Sequence, residues 1–185
     1  VPTVLSHAVF GAALYVPFRH HVPRHVALIG AGAAIIPDLD VVGFRFGIEY
    51  ADLLGHRGLS HSLLVAALCA AFISSVWARA LPAHTRFLAW LYLALAIASH
   101  GIFDALTNGG LGVALLAPFS NARFFFPWTP IEVSPLGLSG IFSARGVEVL
   151  ASELVWVGVP SLGVALLGLA ITRSPSSRSS RVPDN

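Results

Sequence analysis

Histidine and aspartate are the residues that chemistry would least expect in the apolar stretches of this sequence, and they gather at a few places. His7 follows Ser6 at the head of a first apolar stretch, and Asp38 and Asp40 stand in Pro37-Asp38-Leu39-Asp40. His56 and His61 frame His56-Arg57-Gly58-Leu59-Ser60-His61-Ser62, and His100 lies four residues before Asp104. Imidazole with carboxylate is a donor set for a divalent transition metal. It suits zinc first and also manganese or iron, whereas an all-oxygen set favours magnesium or calcium. Residues four apart leave one face of a helix, so His100 and Asp104 can grip one ion or bridge two. Asp38 and Asp40, two apart after a helix-ending proline, point the same way if the backbone there is extended. The single cysteine, Cys69, lies inside an apolar run, which excludes an intramolecular disulfide and a cysteine-based zinc site. A His/Asp site that leaves a position for water is the catalytic pattern, and such an ion activates water and polarises an ester or phosphoryl oxygen.

These side chains need elements to position them, and the composition says which. The chain is 56% hydrophobic and 11% charged, with a mean hydropathy of +0.78. Ordinary soluble domains carry about 25% charged residues, so the polar surface is too small to face water all round. Five apolar segments stand out, at about 5–18, 25–36, 62–81, 87–106 and 147–172. A bilayer core needs about 20 helical residues. The last three segments meet that length and the first two fall short. Pro37 should end the second helix at or before Ile36, because the residue before proline is pushed out of helical geometry. Residues 107–145, rich in Gly, Pro and Phe, read as an ordered cap or re-entrant loop between the fourth and fifth helices. Residues 173–185, rich in Ser, Arg and Pro, read as a disordered cytoplasmic tail. The expected fold is an all-α integral membrane bundle of about five helices, one domain over 1–172. No cleavable leader is evident, since the first apolar stretch lacks a basic preface and already contains His7.

Helix alternation then collects the polar residues. His7 starts the first helix, Asp38 and Asp40 end the second, His56 and His61 lead into the third, and His100 and Asp104 end the fourth. All seven fall on one side of the bundle. If every segment crosses, the other side holds Arg19, Arg24, Arg79, Arg86, Arg173, Arg178 and Arg181, with Asp184 as its only acid. Positively charged loops favour the cytoplasm, which puts the acidic, histidine-bearing side outside. Arg57, Asn108 and Arg123 lie in loops on that side, where an arginine fork can clamp a phosphate. Glu153, near the start of the fifth helix, is a candidate general base or further ligand. Asp38 is the other candidate for proton transfer.

Blander roles fit several of these residues. A lone histidine can bond a neighbouring carbonyl, Asp38 and Asp40 can form an interfacial turn, and Glu153 can be a buried hydrogen-bond acceptor. His20, His21, His25 and His84 lie on the arginine-rich side and read as interfacial. Ser6 and Ser60 read as helix N-caps, and without a Gly-x-Ser-x-Gly elbow a serine hydrolase is set aside. Scattered arginines without interleaved aromatics give no sign of nucleic-acid binding.

Together, Ser6-His7-Ala8, Pro37-Asp38-Leu39-Asp40, the 56–62 element, His100-x-x-x-Asp104-x-x-Thr107-Asn108, Pro118-Phe119-Ser120 and Arg123-Phe124 resemble the YdjM-type family of inner-membrane proteins. The resemblance covers about residues 1–126. That family is described as membrane-bound, metal-dependent hydrolases and also as LexA-binding, and was formerly a domain of unknown function. A more distant similarity, through the H-x3-D pair, is to the all-helical zinc-dependent phospholipase C and nuclease group. It implies that His100 and Asp104 are core ligands, joined by Asp40 or Asp38 and by His56 or His61, with His7 serving a second ion. The expectation is a multi-pass protein of a bacterial inner membrane holding one or two divalent ions and hydrolysing a lipid or lipid-linked phosphoester. The rival readings are a structural or regulatory metal site that mediates partner binding, and a metal or proton transporter.

Overall fold

A computed structural model of the chain describes residues 2–77, 79–134 and 143–173. It is all helical, without named strands among the described residues. Helix α1 runs Val4–Tyr15 and continues as a 3-10 turn through Phe18. Helix α2 runs His25–Ala33, and a 3-10 run, Ile36–Phe46, carries the same segment onward. Helix α3 is Leu63–Trp77 and α4 is Ala83–Ala105. Helix α5, Ala144–Ile171, contains a π-helical stretch at Leu154–Gly158.

Lengths depart from the expectation in two places. The second α-helix ends at Ala33, before Pro37 as expected, but helical geometry resumes at once, because proline is tolerated in a first turn and opens the 3-10 run. His25–Phe46 thereby reaches 22 residues, and with Ala83–Ala105 and Ala144–Ile171 it is long and apolar enough to cross a membrane. The third segment, expected to span, has 15 helical residues, Leu63–Trp77, among the described residues. Two caps also differ. Thr3, not Ser6, occupies the N-cap position of α1. The Ser62 hydroxyl, not that of Ser60, accepts the Val65 N–H at the head of α3, since the turn Leu59–His61 precedes the helix. Asp38 and Asp40 are likewise not on extended backbone but inside the 3-10 run.

Packing follows the inverted logic of a bilayer, in which small residues draw helices together because apolar surface alone does not. The core where α1 to α4 meet is built on Ala33, Ala34, Ala66, Ala70, Ala89, Leu93 and Ala96, with Tyr92 at its centre. Tyr92 donates its hydroxyl between the Gly11 and Ala27 carbonyls. A Cβ at Gly30 would fall 2.1 Å from that hydroxyl, so glycine is required there. Large side chains point outward instead, including Leu5, Leu28, Phe72 and Leu154.

The loop between α4 and α5 is ordered where it is described. Its residues 107 and 131 form a parallel bridge, and 113 and 124 an antiparallel one. The Ala114 N–H donates to the Arg57 carbonyl and the Leu63 N–H to the Leu115 carbonyl, so this loop holds the 56–62 element against the end of α4. Residues 135–142 of the expected cap and 174–185 of the expected tail lie outside the described residues.

Candidate metal centre

The four chain regions singled out by alternation do converge. His7 on α1, Asp38 and Asp40 on the 3-10 run, His56 and His61 in the approach to α3, and His100 and Asp104 on α4 form one linked cluster. Within it, Asp38, His61, His100 and Asp104 each offer a ligand atom, all within 4.8 Å of one another. His100 Nε2 lies 3.2 Å from Asp38 Oδ1, and His61 Nε2 lies 3.3 Å from Asp104 Oδ2. The crossed distances are 3.7 Å for His61 to Asp38 and 3.9 Å for His100 to Asp104. A tetrahedral ion with bonds of about 2.0–2.1 Å sets neighbouring ligand atoms about 3.3 Å apart, so the donors stand near the spacing that one ion needs.

The far side of each imidazole fixes what it offers. His100 Nδ1 lies 2.7 Å from the Ala34 carbonyl oxygen, which only accepts, so Nδ1 carries the hydrogen and Nε2 presents a lone pair to the cluster. His61 Nδ1 lies 3.1 Å from Asp40 Oδ2, the carboxylate–histidine relation that orients metal ligands. Asp40 is itself held: Ser60 donates to it at 2.6 Å and His56 Nδ1 lies 2.7 Å away. Asp40 thus faces the backs of two imidazoles, while Asp38 faces the front of two. His7 stacks on His100, with ring centroids 3.6 Å apart, and its Nε2 is 3.6 Å from Asp104 Oδ1.

Several of these polar atoms have no hydrogen-bond partner although they are buried: both His7 nitrogens, His61 Nε2, His56 Nε2 and both Asp104 carboxylate oxygens. Buried polar groups are ordinarily paired. Orphans of both kinds, lone-pair donors and carboxylate oxygens, aimed at one another across 3–4 Å, fit a divalent cation. Burial alone would lower the His61 pKa, yet Asp104, Asp38 and Asp40 outweigh it and raise it to about 10. The His61 imidazole of the metal-free chain therefore carries a proton at neutral pH.

The arginines and Asn108 have protein partners. Arg57 is fully buried; its Nε is 3.3 Å from Asp104 Oδ2, and its terminal nitrogens donate to the Gly109 carbonyl and the Thr107 hydroxyl. It holds a left-handed backbone at φ 63°, uncommon outside glycine. Arg123 donates to the carbonyls of His56, Tyr50 and Asp52. Asn108 donates to Glu132 and accepts from the Val133 N–H. Glu153 sits apart from the cluster and accepts from the Thr3 N–H, the Thr3 hydroxyl and the Ser6 hydroxyl. Sequence reasoning missed the Ala34 carbonyl and Gly101. The carbonyl has no sequence signature, but a glycine beside a histidine in a helix interior is a visible one.

A family model described as YdjM inner membrane protein matches residues 2–175. The chain belongs to the YdjM family. The match takes in α5, beyond the residues that carry the motifs. A curated relative, the inner membrane protein YbcI of Escherichia coli (strain K12), is 38% identical over 173 residues, covering 91% of this chain and 96% of the relative. No solved structure matches the chain.

Proposed function

We propose that this YdjM-family protein is a multi-pass inner-membrane hydrolase that acts on a lipid or lipid-linked phosphoester. In this reading it holds one divalent cation, zinc first, between His61, His100 and Asp104, with Asp38 facing the position left for water. The observation that carries the metal is the set of buried, unpartnered donor atoms facing one another. Charge balance supports a single ion. Asp38, Asp40 and Asp104 face one permanent cation, Arg57, so one dication with neutral histidines brings the cluster to neutrality, and two would leave it doubly positive.

The bound cation would supply water activation and polarisation of a phosphoryl oxygen. The chain's residues do the rest. Arg57, Thr107 and Gly109 hold Asp104 in place, and Ala34 and Asp40 fix the His100 and His61 rings. Asp38 is the carboxylate with access, its side chain 13% exposed against 0% for His61, His100 and Asp104. It is placed to take a proton from water. The same 3-10 run exposes Leu39, Val42 and Phe46, an apolar fringe suited to an acyl chain arriving from the bilayer. The described carboxylates gather at the site end of the bundle, while Arg19, Arg24, Arg79 and Arg86 stand at the other with no described acid, which favours an extracytoplasmic site.

One observation favours a second reading, a structural or regulatory metal: His61, His100 and Asp104 are closed off from solvent. Metal analysis of purified protein against His100→Ala and Asp104→Ala tests the shared premise. Wild-type protein that takes up no transition metal, even on reconstitution, sinks it. A panel of lipid phosphoesters assayed with metal-loaded wild type and Asp38→Asn then separates the two readings. Turnover that Asp38→Asn abolishes while retaining metal supports the hydrolase; metal without turnover supports the structural site.

A further inference from the structure

The opposite end of the bundle carries a feature that the metal site does not use. A cleft of about 530 Å³ between the end of α1 and the start of α2 is lined by Tyr15, Arg19, His20, Arg24 and Ala27, within the size range of small-molecule sites. Its walls are built. The Tyr15 hydroxyl donates to the Val22 carbonyl at 2.8 Å, and Val22 is buried, so the turn carrying both arginines is tied back onto α1. Arg19 Nε donates to His20 Nε2 at 3.3 Å, which orients the guanidinium. Neither arginine meets a carboxylate among the described residues, whereas Arg57 and Arg145 each do. No acidic residue occurs anywhere in the first 37 positions.

The Arg19 and Arg24 guanidiniums line one concavity with no carboxylate between them, so an anion seated there would meet two uncompensated positive charges. Arginine forks match phosphate oxygens, and basic pockets between helices on the cytoplasmic side hold anionic headgroups. We propose that this cleft binds a phosphate group, presented by the headgroup of an anionic phospholipid. The cleft is a second site, at the other end of the bundle from the metal centre and independent of it.

The test uses full-length, metal-loaded protein in detergent, titrated with phosphatidylglycerol, phosphatidylcholine or inorganic phosphate and followed by native mass spectrometry and thermal unfolding. Phosphatidylglycerol should be retained in preference to phosphatidylcholine. Each of Arg19→Gln and Arg24→Gln should weaken it about five-fold. Arg86→Gln, on an arginine outside the cleft near the start of α4, should leave it unchanged, and metal content should be normal in all three variants. Binding that survives the double Arg19→Gln, Arg24→Gln variant overturns the proposal, as does an equal loss in Arg86→Gln, which would mean diffuse surface charge. Inorganic phosphate that displaces the lipid, and is lost with the same arginines, confirms the phosphate chemistry. Phosphate bound where phosphatidylglycerol is not shows that the lipid is the wrong source.

Discussion

Replacing Gly101 with alanine asks whether His61 and His100 share one ion. Gly101 follows His100 on α4, where α4 crosses the turn carrying His61. A Cβ there would lie 2.6 Å from the His61 carbonyl oxygen and 3.2 Å from Leu115 Cδ2. Ordinary contact starts near 3.4 Å, so relieving the closer clash requires 3.4 minus 2.6, about 0.8 Å of separation. Metal–ligand distances tolerate only about 0.2 Å. The two imidazoles would then no longer hold one ion together, and affinity should fall by at least the roughly 10–100-fold seen when a supporting residue is lost. Net stability of the metal-free form should fall by no more than about 2 kcal/mol. Overpacking costs about 1–3 kcal/mol, and exchanging glycine for alanine in a helix interior returns about 1 kcal/mol. Chelator competition on the purified variant measures the affinity, and thermal unfolding of the metal-free form measures the rest. Wild-type affinity in Gly101→Ala would refute the shared-ion geometry.

Three further outcomes follow from the same contacts. Asp40→Asn, which leaves every proposed ligand intact, should cost about 10–100-fold in metal affinity; an unchanged value in chelator competition would remove Asp40 from its supporting role. With the His61 pKa raised to about 10, the metal-free protein gains stability that is fully present below about pH 6.5 and lost as pH rises through about 10. Metal uptake across that window should release one proton, and affinity should climb about ten-fold per pH unit. Calorimetry in buffers of different ionisation heat reads that proton, and zero release contradicts it. Arg57→Leu should destabilise the metal-free protein by up to about 3–5 kcal/mol by removing the permanent cation from a buried ion pair, protonated His61 offsetting part of the loss, and by less when metal is bound. A loss below about 1 kcal/mol in denaturant unfolding would show that the pair contributes no more than an exposed one.

The gathering of the seven site residues was legible because it needs only helix order: a start, an end, a start and an end must share one side. The division of labour between Asp38 and Asp40 was not. Extended backbone would send both the same way, but a 3-10 helix turns three residues per cycle, so residues two apart diverge by a third of a turn. One carboxylate reaches His100 and His61 Nε2, and the other reaches His56 and His61 Nδ1. That run could not be read from composition, because Pro37 ordinarily signals a stop. Arg57 was legible as a charge beside the site but not as Asp104's partner, since its left-handed backbone depends on the Leu59 N–H reaching Leu53 and the Ala114 N–H reaching Arg57. Both contacts arise only in the folded chain.

The bundle interior bears on the transport reading. A path for an ion or proton from the metal centre to the arginine-rich end would run along the α1–α4 core, past Ala96, Leu93, Tyr92, Ala89 and Ala70, each no more than 1% exposed. Its polar groups are few and mostly spent. The Ser99 hydroxyl donates to the Ala96 carbonyl one turn back, and the Tyr92 hydroxyl is taken by Gly11 and Ala27. Among the described residues, Ser74 Oγ is the one buried side-chain polar atom without a hydrogen-bond partner away from the site cluster and its neighbour Arg57. A single hydroxyl cannot relay a charge through a layer several turns thick, where each unpaired ionic position costs several kcal/mol. An ion held at the proposed centre would therefore have no way through, which is what a centre serving chemistry or structure at one face requires.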